Sequence, residues 1–167
     1  MKSLIVYSSR TGNTEKVAQA IAKVCPNPDV FSVDDAPPHE NYDFIAIGYW
    51  VDKGMPDAKC AAYMKSIKGK NIGLFGTLGA YPDSDHAKSC MEKAAALLEG
   101  NKIINQFICQ GRVDPKILAH MEKVASTNHP MTKERQARIE EAKKHPNQDD
   151  FEKAQRVFSA IVSSITL

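Results

Sequence analysis

Apolar residues first gather in a short run from Ser3 to Tyr7, which gives way to the polar stretch Ser8-Ser9-Arg10-Thr11-Gly12-Asn13-Thr14. Val17, Ala18, Ile21, Ala22 and Val24 then recur at helical spacing, so the opening predicts a strand, a polar loop and a helix. A second strand is expected near Val30 to Val33, and Pro37-Pro38 blocks any long helix after it, which makes the second crossover short. The run from Asp43 to Ile47 stops at Gly48, and the run from Asn71 to Phe75 stops at Gly76, with an amphipathic stretch from about Ala58 to Ile67 between them. A fifth run, Lys102 to Cys109, follows a helix from about His86 to Leu98. Short apolar runs alternating with helices predict a doubly wound α/β sandwich, a five-stranded parallel sheet covered on both faces.

The last third changes character. Asp114-Pro115 reads as a helix start, with a carboxylate cap and proline in the first turn, followed by an apolar stripe of Ile117, Leu118, Met121, Val124 and Ala125. Residues 131 to 145 are rich in Lys, Arg and Glu and read as an exposed helix or a helix-containing excursion. Asp149 and Glu152 have capping-box spacing with Asp149 at the cap, and Phe151, Ala154, Phe158, Ile161, Val162 and Ile165 form a stripe able to pack on a sheet.

Composition narrows the class. A chain of 167 residues with 43% hydrophobic content supports one domain with one sizeable core. The 22 basic and 20 acidic residues leave a formal charge of +2, which argues neither for nor against a charged partner. No apolar run approaches the ~20 residues of a membrane span and no basic-then-apolar leader opens the chain, so a soluble, cytoplasmic protein without a membrane partner is expected. Cys25, Cys60, Cys90 and Cys109 lie far apart and read as reduced, buried thiols. Asp83, Asp85 and His86 sit where a helix begins, so capping explains them better than a metal does. No nucleophile and base stand in a catalytic spacing, and no basic stripe interleaved with aromatics points to nucleic acid.

The first loop is where the chemistry concentrates. It offers hydroxyls at Ser8, Ser9, Thr11 and Thr14, the Asn13 amide, and free backbone N–H groups at a helix start, all suited to a phosphate. Gly12 lets the backbone curl close to the anion. Charge-assisted hydrogen bonds of roughly 1.5–3 kcal/mol each outweigh a helix dipole of about 0.3–1 kcal/mol, so the bonds should decide affinity. A simple helix cap explains one hydroxyl, not four. The G-x-x-x-x-G-K-[ST] spacing is absent, and one glycine stands where a dinucleotide fingerprint needs three.

The segment Val6-Tyr7-Ser8-Ser9-Arg10-Thr11-Gly12-Asn13-Thr14-Glu15 resembles the phosphate loop of flavodoxins, a hydroxyl residue, any residue, then Thr-Gly-Asn-Thr. The resemblance implies noncovalently bound flavin mononucleotide (FMN), a sheet of order 2-1-3-4-5, and phosphate contacts from Ser8, Ser9, Arg10, Thr11, Gly12, Asn13 and Thr14, with Arg10 able to point to solvent. Two further loops, Tyr49-Trp50-Val51-Asp52-Lys53-Gly54 and Thr77-Leu78-Gly79-Ala80-Tyr81, should then reach the flavin. Flavodoxins commonly flank the ring with a Trp and a Tyr, which makes Trp50 and Tyr81 the candidates and Tyr49 a rival. Such a contact adds about 0.5–1.5 kcal/mol beyond area burial. Trp50 as a core anchor is the competing explanation. Flavodoxins also place a small residue in the strand-three loop whose peptide can turn to hydrogen-bond the flavin's N5, a role that falls to Gly54.

About the first 110 residues and the final helix follow this plan, whereas the segment from Gly111 to Gln148 is an addition to which no site residue is assigned. Many flavodoxins are acidic; this chain is nearly neutral and places Lys53 in a flavin loop. At ~8 Å and an effective dielectric near 20, that cation would favour an anionic reduced flavin by about 2 kcal/mol, or roughly 90 mV for one electron. The resemblance implies an electron carrier between a reductase and an acceptor enzyme. An FMN-dependent NAD(P)H, quinone or small-molecule oxidoreductase is the alternative.

Overall fold

The computed structural model describes residues 1–124 and 130–167; Ala125, expected in the stripe of the fourth helix, lies outside the described residues. Five parallel strands, β1 (Ser3–Tyr7), β2 (Pro28–Ser32), β3 (Phe44–Asp52), β5 (Asn71–Leu78) and β6 (Lys102–Gln110), stand in the order β2-β1-β3-β5-β6. The short β4 (Met55–Pro56) pairs antiparallel with the end of β3, and without it the parallel strands have the expected 2-1-3-4-5 order. Val33, expected in the second strand, belongs instead to a 3-10 turn, Val33–Asp35, that serves as the short second crossover.

Strand alternation divides the core in two. Leu4, Val6, Ile45, Ile47, Ile72 and Leu74 face α2 (Ala58–Ser66) and α3 (Asp85–Ala96), where Cys60, Met64, Ala94 and Leu98 meet them. Ile5, Phe44, Ala46, Phe75 and Phe107 face α1 (Asn13–Ala22) and α6 (Gln148–Thr166). Phe158 of α6 sits edge-on to Phe75, with ring centroids 5.9 Å apart. It packs against bare backbone at Gly73, where a Cβ would lie 2.7 Å from its ring.

Both central strands run further than their glycines predict. β3 continues through Gly48 to Asp52 and β5 through Gly76 to Leu78. These glycines are packing positions inside strands: a Cβ at Gly48 would collide with the Phe75 ring, and one at Gly76 would stand 2.6 Å from the Tyr49 ring. Helix starts also differ in detail. Asn147, not Asp149, caps α6 in a capping box with Asp150, and Ser84 caps α3 while Asp85 supplies a first-turn carboxylate. Asp114 caps α4 (Pro115–Lys123) as expected, its side chain accepting from the Lys116 N–H at 2.9 Å.

One buried carboxylate ties together the elements that frame the upper end of the sheet. Asp57, only 3% exposed, caps α2 by accepting from the Cys60 N–H at 3.2 Å. It also accepts from the Ser8 hydroxyl at 2.5 Å and from the Trp50 N–H at 3.2 Å. A second polar knot fastens the extension, which carries α4 and α5 (Lys133–Ala142). The His145 ring lies 2.6 Å from an Asp150 oxygen and 3.2 Å from Glu141, and its carbonyl accepts from the Arg112 N–H at 3.0 Å. Burial by itself would lower the His145 pKa, but hydrogen bonds and attraction from Asp150 and Glu141 outweigh it and raise the value above 6.5.

Replacing Asp57 by Ala orphans three donors at once and should cost roughly 3 kcal/mol in urea unfolding; a loss below about 1 kcal/mol would show that water substitutes for the carboxylate. For His145, the raised folded pKa means that its pairing stabilises fully below pH 6.5 and fades as pH rises through the folded value. The thermal midpoint of the wild type should therefore decline relative to His145→Gln between about pH 6 and 8. A pH-independent difference would refute the ion pairing.

Candidate functional site

The carboxyl ends of β1, β3, β5 and β6 surround a cavity of about 480 Å³, within the roughly 300–1,000 Å³ usual for small-molecule and cofactor sites. It lies where the chain order reverses, since β1 is flanked by β2 on one side and β3 on the other. Beneath it the chain leaves β1 and enters α1 through Gly12, whose φ of +91° is left-handed; Gly12, expected at the phosphate, lines not this cavity but a groove between α1 and α6. The Gly12 N–H is held by the Ser9 hydroxyl at 3.1 Å, and the first amide to close a helical bond onto the turn is that of Lys16. Among the described residues no side chain caps α1, which leaves its first amides and the positive end of the helix to whatever occupies the cavity. A Cβ at Gly12 would meet nothing within 4 Å.

Of the expected phosphate residues, Ser9, Arg10, Thr11, Asn13 and Thr14 line this cavity. Thr11 is exposed, with no partner for its hydroxyl among the described residues. Ser8 lines nothing: its hydroxyl is buried and spent on Asp57. Thr14 is buried too, its hydroxyl 2.9 Å from that of Thr77 at the end of β5, which fastens the first turn of α1 to the sheet.

The other two loops divide in the same way. Trp50, Val51, Asp52 and Lys53 line the cavity, as do Thr77, Leu78 and Gly79. Tyr49 does not, because β3 is still a strand there and alternation sends its ring to the α2–α3 face. It is fully buried, and burial pushes its phenol pKa far up. Ala80 and Tyr81 also lie off the cavity; Tyr81 is 40% exposed in the loop before α3. Among the described residues Trp50 is the one aromatic ring lining the cavity, and the expected Trp–Tyr pair is not assembled there. Gly54 sits at the tip of the β3–β4 hairpin and lines a neighbouring groove instead. Positive φ at both Lys53 (50°) and Gly54 (80°) matches a two-residue type I′ turn.

The far wall comes from residues that sequence reasoning left unassigned: Gly111, Arg112, Val113, Asp114 and Ile117. The available signal was positional, since they follow the carboxyl end of a parallel strand. The connection is strapped onto the first loop. Arg10 pairs with Asp114 at 3.0 Å and lies 5.7 Å from the Trp50 ring centroid, while the Asn13 amide donates to the Arg112 carbonyl at 2.9 Å. Gly111 is a close approach, because a Cβ there would stand 2.7 Å from the Asn13 amide nitrogen.

The result is an anion-receptive floor of amides and a hydroxyl beneath apolar walls of Trp50, Val51, Leu78, Val113 and Ile117. None of the four cysteines lines it. All are buried and unpaired; burial raises each thiol pKa, that of Cys25 to about 11, so none offers a ready thiolate.

Comparison with known proteins agrees with this architecture. A flavodoxin domain model matches residues 4–159. A flavodoxin-like domain-containing protein of Clostridioides difficile, BilS, is 33% identical over 162 residues, which cover 92% of each chain. Among solved structures, a flavodoxin of Streptococcus pneumonia superposes with a TM-score of 0.60 at 14% identity, covering 98% of this chain and 99% of its own. A Lactobacillus acidophilus flavoprotein in complex with FMN gives 0.54 at 19% identity, covering 64% of this chain and 92% of its own. At these identities the superpositions establish fold, while the domain match and the 33% relative establish kinship. The chain belongs to the flavodoxin domain family.

Proposed function

We propose that this chain is an electron-transfer protein that holds FMN in the cavity above β1, β3, β5 and β6 and passes electrons from a reductase to a partner enzyme. The observation that carries the reading is the uncapped start of α1 at the β1–β3 switch, where Ser9, Thr11 and Asn13 line an apolar-walled cavity. A phosphate monoester with a flat, largely apolar body suits that donor set, and FMN supplies one- and two-electron redox chemistry when bound.

The residues divide the work of binding. The free amides of the first turn of α1 and the Thr11 hydroxyl would hold the phosphate, which asks little reorganisation of them. Trp50, Leu78 and Val113 would cover the flat ring and exclude water from it. The Arg10–Asp114 pair closes the wall beside the floor. Arg112 and Lys53 place positive charge at the rim, favouring a more reduced, more negative cofactor. Both are exposed, so screening keeps the Lys53 effect below the value of about 2 kcal/mol that holds at an effective dielectric near 20. A reductase acting directly on a small molecule is the second reading, favoured by the additional wall from Gly111 to Ile117.

Thr11→Val removes one hydroxyl at nearly constant volume. It should weaken FMN binding by about 10- to 100-fold while leaving riboflavin, which lacks the phosphate, unchanged. Equal losses for both ligands would place the phosphate elsewhere. Incubation of the FMN-loaded protein with NADPH or NADH and a quinone should give no steady turnover until a flavin reductase is added; turnover by the protein alone would assign it to the oxidoreductases.

A further inference from the structure

Beside the flavin-type cavity lies a second groove of about 770 Å³, which shares Val51, Lys53, Leu78, Gly79 and Val113 with it. Its other wall is the extension: Met121 of α4, and Arg138 and Ile139 of α5. Cationic side chains converge on it from three directions. Lys53 comes from the hairpin tip, Lys93 from α3, and Arg135 and Arg138 from α5. At the hairpin, the Lys93 Nζ and the His86 ring approach within 3.7 and 3.8 Å of the point where a Cβ on Gly54 would stand. Among the described residues no Asp or Glu lines the groove, and Lys53, Lys93 and Arg138 make no ion pair.

In a chain whose charges nearly balance, three unpaired cations facing one concavity repel one another without internal compensation. Elsewhere, cations such as Lys59 and Lys153 are spent on surface ion pairs, with Asp34 and Asp149. The groove also has an apolar floor in Val51, Leu78, Val113, Met121 and Ile139. Concavity, apolar floor and unpaired positive rim together describe a receptor for an amphipathic small molecule with an anionic end.

We propose that this groove binds a small organic anion, an apolar body bearing a carboxylate or comparable acid group, against the exposed side of the cofactor cavity. The apolar body lies on Val51, Val113 and Met121, and the acid group meets Lys93 and Arg138. Lys53, common to both cavities, couples the two occupants electrostatically. The inference rests on the cofactor reading only for what the anion adjoins; the groove itself is built by this chain.

The test is calorimetric titration of 2-naphthoate, with neutral 2-naphthylmethanol as control, into the full chain with and without FMN. Saturable binding of the acid, at least about tenfold tighter than the alcohol, is expected. It should weaken at least about tenfold in the double variant Lys93→Gln/Arg138→Gln, with FMN affinity and thermal midpoint retained, because neither residue lines the cofactor cavity. Absence of saturable binding, equal affinity for the alcohol, or indifference to the double variant would overturn the proposal. So would binding of hexaglutamate without 2-naphthoate, which would assign the cations to an acidic protein partner. Naphthoate binding by protein that fails to take up FMN would keep the groove and discard the cofactor reading.

Discussion

The carboxylate of Asp57 is the constraint on which the upper end of this protein depends. It is buried, and a buried charge is tolerated only when hydrogen bonds replace its water. Those bonds come from three separate segments: Ser8 at the exit of β1, the Trp50 amide in β3, and the Cys60 amide that opens α2. Their common need fixes the phosphate-type loop and the Trp50 strand relative to each other. An unbonded carboxylate would cost more than any single contact in the cavity returns. Ser8 thus serves the site indirectly, by placing the loop whose next residues line it.

A second relation of the same kind joins the added segment to the first loop. Arg10 meets Asp114, and Asn13 meets the Arg112 carbonyl, while His145, Asp150 and Asn147 hold the return into α6. The extension is consequently part of the cavity wall and one wall of the neighbouring groove. In a flavodoxin-family chain this wall gives the cofactor site a shaped, positively charged neighbour on a protein with little net charge. That geometry links the two readings of function: an electron carrier needs an exposed cofactor edge, and a reductase needs a place for its substrate.

The parallel sheet, the broad stripe of α6 and the anion-receptive loop were legible because each rests on local pattern, whereas the strand order came with the flavodoxin resemblance of the first loop. Strand length was not. Glycines at positions 48 and 76 read as stops, yet they interrupt nothing, since each makes room for a ring, Phe75 and Tyr49 respectively, brought to it from another strand. Trp50 was the ring candidate along the chain and Tyr49 its rival; the continuation of β3 through both gave them opposite faces. Capping followed the same pattern. Asp114 was readable because proline follows it, but Asn147 displaced Asp149 because Asp150 could answer its backbone N–H.

The order of residues by itself determined the loop from Ser8 to Thr14, since a run of hydroxyls around one glycine between a strand and a helix is a local property. Only the tertiary structure decided which of those groups remain free. Ser8 and Thr14 are claimed by Asp57 and Thr77, Arg10 by Asp114, and Thr11 with the first-turn amides is left open. It likewise decided that Lys53, Lys93 and Arg138, spread over 86 positions of sequence from 53 to 138, share one groove without a carboxylate among its described lining residues. The physical reason is common to both cases. Composition sets how many donors and charges a chain carries, but whether each is satisfied depends on which distant group folding brings within hydrogen-bond or Coulomb range.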